Sequence, residues 1–344
     1  MPVLMKDVAE KVGVSLSTVS QVLSGNRRLA ISKETRQRVL EAARELDYRP
    51  NVNAQRLAKR KGNAFGLIVS EIANPFFPDI INSFEAAAVD RGFEIMLCNT
   101  EYDTDRSRSA TQKLLDNKVR GVAIVTSKFD PDLIQQFTEH RVPVLLFNNE
   151  RKDLAPGNIE IDLTTGLREA VEHLASLGHK NFAAITGPSS VPSARAFTGV
   201  LERLGAKRGI HFQRVLECNY RHNGGMAAIR TLIGEPHLPT AIFCANDVMA
   251  IGAISVLEQE GISVPEQISI VGLDDIIYAR LARPPLTTIA VPRTEIGGVA
   301  FDMLFRMQKT KRPQREMHTV STHLVIRQST AKARRSAISP RTNP

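Results

Sequence analysis

The 344-residue chain has no tryptophan, only four tyrosines and only three cysteines. Cys98, Cys218 and Cys244 are odd in number, widely spaced and set in apolar surroundings. They read as reduced core thiols, which excludes a disulfide framework and a thiolate metal site. No run of about 18 apolar residues occurs, so no transmembrane helix and no membrane partner is expected. The N-terminus lacks the apolar stretch of a secretion signal, and a cytoplasmic location is the expectation. The signatures GxGxxG, GxxxxGK[ST], HExxH, GxSxG and paired CxxC are all missing. The chain therefore reads as no enzyme, with no cofactor and no metal.

What is present is a strongly uneven charge. Residues 1–62 carry 13 Lys and Arg against 6 Asp and Glu, and residues 305–344 carry 10 against 1. The stretch between them carries 22 against 29, so a basic head and a basic tail flank an acidic body. A basic head on an acidic body is the electrostatic footprint of a polyanion-binding module carried by a separate domain. The tail, 331–344, reads as a disordered, solvated end, with added phosphate contacts as the alternative.

The head has a helical rhythm. Val8, Ala9 and Val12 give one helix an apolar face, and Gly13 permits the left-handed backbone of a tight turn. Ser15 can cap a second helix with Thr18, Val19, Val22 and Leu23 inward. Two short helices broken at a glycine form a helix-turn-helix pattern, whose second helix enters the major groove of double-stranded DNA. A third helix is expected from an N-cap at Ser32, packing through Val39, Leu40, Ala43 and Leu46. Pro50 then stops the chain's helical run, and Asn51 can cap a further short helix.

From Ala64 onward, β-branched runs alternate with helical stripes. Strands are expected at 65–70, 94–99, 121–125, 142–148, 158–161, 182–186, 241–245 and 268–273. Helices are expected at 78–91, 107–117, 165–177, 225–233 and 247–260. Apolar strands separated by helices imply parallel sheets covered on both faces, and their number implies two doubly wound α/β lobes. Ligands in such sheets sit beyond the carboxyl ends of the strands. Phe76, Phe77, Asp162, Arg195, Tyr220, Asn246 and Asp274 follow strands or open helices there. Each also has a structural reading: Asp162 as a helix cap, Arg195 as a surface charge, and Phe76 and Phe77 as core.

The sequence resembles the lactose-repressor/galactose-repressor family of bacterial transcription regulators. The residues that carry this are Asp7-Val-Ala-Glu-Lys-Val-Gly-Val-Ser-Leu-Ser-Thr-Val-Ser20, Tyr48-Arg-Pro-Asn51, Asn246-Asp-Val-Met-Ala-Ile-Gly252, Val264-Pro-Glu-Gln-Ile-Ser-Ile-Val-Gly-Leu-Asp274 and Pro285-Leu-Thr-Thr-Ile289. The resemblance runs from about Met5 to Gln328. It implies an all-α helix-turn-helix headpiece over 1–62, with a hinge helix at about 51–59. It further implies a periplasmic-binding-protein-like core over 63–330, with each lobe discontinuous: about 63–161 with 292–322, and about 162–291 with 323–330.

The resemblance also implies particular residues. DNA contacts fall at Ser15, Leu16, Ser17, Thr18, Ser20, Gln21 and Asn26, and around the hinge at Arg49, Asn51, Ala54, Arg56 and Leu57. Leu57 corresponds to a leucine that wedges into the minor groove, a kink costing about a few kcal/mol. Many relatives have Arg where this chain has Gln21. Arg suits guanine, whereas Gln suits the N6/N7 edge of adenine. Effector positions match Phe76, Phe77, Asp162, Tyr220, Asn246 and Asp274, with Asn148 where relatives often have Asp. Arg195 lies in a loop whose spacing departs from the family's pattern. With Arg195 in place an anionic effector is possible, and without it a neutral sugar is favoured.

The expectation is a repressor that binds a near-palindromic operator as a homodimer, controlled by a sugar-like or purine-like effector. Inducer and corepressor would use the same residues. A periplasmic solute-binding protein would explain the body but not the head. The lactose repressor's terminal leucine heptads are absent from 331–344, so a dimer rather than a tetramer is expected.

Overall fold

A computed structural model describes residues 3–23, 31–48, 62–126, 129–148, 153–310 and 314–334. The chain falls into two compact units, Met1–Gly62 and Asn63–Pro344.

The first unit contains α1 (Met5–Val12), α2 (Leu16–Leu23) and α3 (Lys33–Glu45). Gly13 ends α1 at φ 72°, and its N–H donates to the Ala9 carbonyl. The Ser15 hydroxyl accepts the Thr18 N–H at 3.2 Å, and Ser32 accepts the Thr35 N–H at 3.1 Å. Each side chain thus satisfies a donor that the first helical turn leaves unpaired. Val8, Val19 and Val39 meet at the centre, with Val12, Val22, Ala42 and Ala43 around them. Leu40 corrects the expected packing face: it is 38% exposed, and Ala42 takes the inward position. Arg38 adds a tie from α3 by donating to the Val12 carbonyl at 2.8 Å.

The second unit holds two six-stranded sheets. One has the order β11-β5-β4-β3-β1-β2, using β1 (Ala64–Val69), β2 (Glu94–Asn99), β3 (Val122–Val125), β4 (Val144–Phe147), β5 (Gly157–Asp162) and β11 (Glu316–Ser321). The other has the order β12-β10-β9-β8-β6-β7. Its strands are β6 (Asn181–Thr186), β7 (His211–Glu217), β8 (Ala241–Cys244), β9 (Ser269–Asp274), β10 (Thr287–Ala290) and β12 (His323–Val325). All pairings are parallel except β10 with β12. Every residue of β1, β3, β4, β8, β9 and β10 is buried. That is why these strands read as apolar runs without alternation.

Helices cover both faces. On the first sheet lie α4 (Phe77–Val89), α5 (Thr104–Asp116), α6 (Pro131–Glu139) and α12 (Arg293–Met307). On the second lie α7 (Leu163–Ser176), α8 (Pro192–Ala206), α9 (His222–Ile233), α10 (Asp247–Gln259) and the short α11 (Ile277–Leu281). The chain passes between lobes near Asp162, Val291 and Thr322, so each lobe is assembled from separate segments. The three cysteines are thiols, each with its pKa raised by burial. Among the described residues no group of side chains could hold a metal ion, and no helix is long and apolar enough to cross a membrane.

The expected disorder from 331 is corrected at its start. The Ala331 N–H donates to the Ser269 hydroxyl at 3.1 Å, and the Ala333 N–H to the Leu177 carbonyl at 2.8 Å. His179 lies beneath, its Nε2 2.9 Å from the Ala331 carbonyl and its Nδ1 2.9 Å from the Thr240 hydroxyl. The carbonyl places the ring proton on Nε2. Burial pushes the His179 pKa below its ordinary 6.5. The folded chain therefore resists a proton that the unfolded chain accepts, and stability present above pH 6.5 is lost as pH falls through that value. The melting temperature of the core should drop between pH 7 and pH 5, and in the non-titrating His179→Leu variant that slope should flatten. An unchanged slope in a calorimetric pH series would sink this role for His179.

Candidate functional site

Two surfaces can carry function, one in each unit. On α2, Val19 and Val22 are buried, Thr18 and Gln21 are partly buried, and Ser15, Leu16, Ser17 and Ser20 are exposed. The exposed positions form one face of the helix because residues four apart lie on the same side. Leu16 is 52% exposed, an apolar side chain with no core to fill. Ser15 also bonds the hydroxyls of Ser17 at 2.7 Å and Thr18 at 2.9 Å. Ser15 and Thr18 thus build the turn, while Leu16, Ser17, Ser20 and Gln21 are placed to meet a partner. The other expected DNA contacts, Asn26, Arg49, Asn51, Ala54, Arg56 and Leu57, lie outside the described residues, as does the hinge.

The second surface is a cleft at the carboxyl ends of both sheets, enclosing about 940 Å³ of empty space, open solvent included. Ser70, Thr126, Phe147 and Asn148 line it from the first sheet, and Ala245, Asn246, Leu273 and Asp274 from the second. Strand ends put these residues together, because main-chain pairing stops there and side chains take over the surface.

Its aromatic wall is built locally. The Asn74 side-chain oxygen accepts the Phe76 N–H at 3.0 Å, folding 74–77 into the turn that starts α4. Phe76 and Phe77 then stand edge to face, centroids 5.3 Å apart. Tyr220 faces them from the second lobe with its backbone at φ 60°. The Asn246 amide donates to the Tyr220 carbonyl at 2.8 Å, while its oxygen caps α10 through the Met249 N–H at 2.8 Å. Both ends of Asn246 are thus spent on holding the wall. The Tyr220 hydroxyl lies 3.2 Å from that of Ser193, and burial pushes its pKa up to about 12, so it stays a neutral phenol.

Gly187 makes room for that phenol: a Cβ there would lie 2.0 Å from a Tyr220 ring atom. Gly187→Ala should displace the ring and weaken the cleft's ligand roughly tenfold or more, about 1.4 kcal/mol. Titration calorimetry reads this, and unchanged affinity would show that Tyr220 does not touch the ligand.

Asp274 is the buried carboxyl of the cleft, held at φ 120° on the end of β9. Burial raises its pKa well above the ordinary value, and the Asp247 carboxyl raises it further. Asp247 is itself pushed up to about 7 by burial. It accepts from the Thr288 hydroxyl at 2.5 Å and from the Ile276 N–H at 2.9 Å. Arg293 opposes these shifts, but its guanidinium is engaged. It donates to the Asp274 carbonyl, to the Asp275 carbonyl at 3.0 Å and to the Asp79 carboxylate of α4 at 2.9 Å. Across the lobes, Glu71 pairs with Arg221 at 3.0 Å, beside Ser70 and Tyr220 respectively.

Phe76, Phe77, Asn148, Tyr220, Asn246 and Asp274 are thus brought together. Two expected members are not. Asp162 caps α7, accepting the Thr164 N–H at 2.9 Å, and does not line the cleft. Arg195 is exposed and donates to the Ser189 carbonyl at 2.9 Å; its place in the lining is taken by Ser193 and Phe197. Sequence reasoning missed Tyr102, Phe147 and Thr126. Tyr102 follows β2 and Thr126 follows β3, so the strand-end rule already pointed to them.

A polar reading helix on a separate basic unit, with an aromatic cleft between two parallel-sheet lobes, defines a ligand-sensing DNA-binding regulator. Residues 4–51 match the family described as bacterial regulatory proteins, lacI family, and residues 171–330 match the periplasmic binding protein-like domain. The chain is 32% identical over 338 residues to the HTH-type transcriptional regulator DegA of Bacillus subtilis, covering 96% of this chain and 99% of that one. It is 31% identical over 330 residues to the HTH-type transcriptional repressor CytR of Escherichia coli, covering 95% and 96%. Its structure is similar to the lac repressor dimer bound to operator and the anti-inducer ONPF, with TM-score 0.86, 30% identity, and 96% and 100% of the two chains covered. It is also similar to the transcriptional regulator CelR in complex with cellobiose, with TM-score 0.71, 28% identity, and 95% and 99% covered. The chain belongs to the lacI family of bacterial regulatory proteins. These relatives are transcriptional regulators, not enzymes.

Proposed function

We propose that this protein is a transcriptional repressor that binds a near-palindromic operator as a homodimer and is switched by a small molecule held in the cleft. The observation that carries the reading is the exposed α2 face: Leu16, Ser17, Ser20 and Gln21 present base-reading groups on a helix whose opposite side is spent on the core. The cleft supports the second half. Its aromatic walls and single buried carboxyl suit a metabolite, and closing the lobes on it would change what the dimer presents to DNA. A coupling of only about 1–3 kcal/mol suffices for such a switch.

The dimer has a candidate surface. On α11, Ile277, Tyr278 and Leu281 are 58%, 52% and 63% exposed and share one helical face. An apolar cluster of this kind suits its own copy across a two-fold axis, since one patch then covers another. A two-fold protein in turn demands half-sites about one or more helical turns apart.

Analytical ultracentrifugation tests this. The intact chain should sediment as two copies, and Leu281→Glu should release monomers that bind the operator much more weakly. A mass of four chains, or a Leu281→Glu dimer unchanged at micromolar concentration, would refute the assignment of this surface.

A further inference from the structure

The lobes touch at a second place, well away from where the chain crosses between them. The crossings at Asp162, Val291 and Thr322 lie on the β5 and β11 edge of the first sheet and the β10 and β12 edge of the second. Glu71 follows β1, three strands from β5, and Arg221 follows β7, the far edge strand, four strands from β10. At about 4.8 Å per strand, these residues stand roughly 14 Å and 19 Å from the crossing side. There the Arg221 guanidinium forks onto both oxygens of the Glu71 carboxylate, Nη2 to Oε1 at 3.0 Å and Nε to Oε2 at 3.4 Å. We infer that this ion pair is a latch: it holds the lobes together at the mouth of the cleft, and a ligand enters only when it breaks.

Position gives the pair its leverage. Lobes that swing about the crossing edge part most at the opposite side. A swing of about 10° separates them there by about 3 Å, enough to end a hydrogen-bonded ion pair. Each partner is braced within its own lobe, so neither loop can simply follow the other. The Asn99 side-chain oxygen accepts the Ile72 N–H at 3.2 Å, and the Asn74 N–H donates to the Glu71 carbonyl at 3.0 Å. The Arg221 N–H donates to the Asn219 side-chain oxygen at 3.0 Å, and the Arg221 carbonyl accepts the Gly224 N–H at 2.9 Å. Among the described residues neither charge has a second ion pair, so nothing in its own lobe competes for it.

The pair adjoins the cleft without belonging to its wall. Tyr102 lines the cleft, hydrogen-bonds Ser70 next to Glu71, and lies within the field of both charges. Tyr220, on the opposite wall, immediately precedes Arg221. Glu71 and Arg221 themselves do not line the cleft, which separates the latch from the ligand's own contacts. Its strength fits the role. The Glu71 side chain is 18% exposed and that of Arg221 51%, and a forked pair so exposed shifts an equilibrium several-fold rather than locking it. A ligand's differential affinity for the two arrangements can overcome such a pair.

Pulsed dipolar spectroscopy on the full chain tests this. Nitroxides go on cysteines placed at Lys113 and Glu202, exposed on α5 and α8 of the two lobes. Cys218→Ser keeps the half-buried native thiol unlabelled, and excess unlabelled chain isolates one pair of spins. Without ligand, Arg221→Gln and Glu71→Gln should each raise the ratio of long to short distances about fivefold. The double variant should raise it no further, because both changes remove one interaction. In the natural chain the ratio should also rise between about 0.05 and 0.5 M salt as the pair is screened, and in the variants it should not. An unchanged ratio in both single variants overturns the latch, and so do effects that add in the double variant. The salt series on the natural chain needs no change at the latch, so a flat series overturns it even where a latch variant fails to fold. The latch's bearing on DNA rests on the switch proposed above, and a duplex selected by the natural chain separates the two. Lobes that open while affinity for that duplex stays unchanged uphold the latch and count against the switch.

Discussion

Replacing Asp274 with alanine should abolish the ligand's stabilisation of the core without weakening the unliganded protein at neutral pH. A ligand at 100 times its Kd stabilises the state that binds it by about 2.7 kcal/mol, and the variant should show none of this. The second half follows from the carboxyl's surroundings. Asp274 is buried beside Asp247, and its pKa lies well above the ordinary 3.8. A carboxyl of that kind stabilises the fold while protonated at low pH, and this contribution is lost as pH rises through its folded pKa. At pH 7 the side chain is thus a burden carried for binding, as functional groups often are. Asp274→Ala should therefore melt at or above the temperature of the natural chain at pH 7, with the difference growing as pH rises. Operator affinity without ligand should be unchanged. A clear loss of unliganded stability, or loss of operator binding, would make Asp274 a structural residue.

The second large effect belongs to Gln21 and is read in the DNA. Gln21 stands on the α2 face that carries Ser17 and Ser20. A Gln side chain pairs with the N6 and N7 groups of adenine, while Arg forks onto O6 and N7 of guanine, each worth about 1–3 kcal/mol of discrimination. Gln21→Arg should therefore move the preference at one base pair of each half-site from A·T to G·C. Binding to a fixed set of single-base operator variants reads the change directly. Unchanged preference at every position would remove Gln21 from the reading surface.

Much of this architecture was legible in the residues, and the exceptions have physical causes. The headpiece helices announce themselves because Gly13, Ser15 and Ser32 mark their ends and valines mark their inner faces. Leu40 is apolar yet exposed, because it sits one position past the inward Val39. The central strands are buried on both faces and read as unbroken apolar runs. The strands that went unread include β7 and β11, edge strands with exposed charged or polar residues, and β12, only three residues long. In the cleft, the strand-end rule found Phe76, Tyr220, Asn246 and Asp274, because these follow clearly patterned elements. It failed at Asp162 and Arg195, where a carboxylate and a guanidinium were already occupied by local main-chain groups. A polar residue type at a strand end does not reveal whether its own backbone has claimed it. Tyr102 escaped for the opposite reason: it follows the edge strand β2, in a loop where nothing but position points inward.

The central claim is that DNA recognition resides in the basic first unit and is governed by what the second unit holds. The most direct measurement selects binding sites from a pool of random duplexes with the intact chain. The winner is then titrated with the intact chain and with a chain that begins at Asn63. The intact protein should enrich a two-fold-symmetric sequence and bind it with a steep salt dependence, and the shortened protein should leave that duplex unshifted while remaining folded. Retention of the same sequence by the shortened protein would contradict the account.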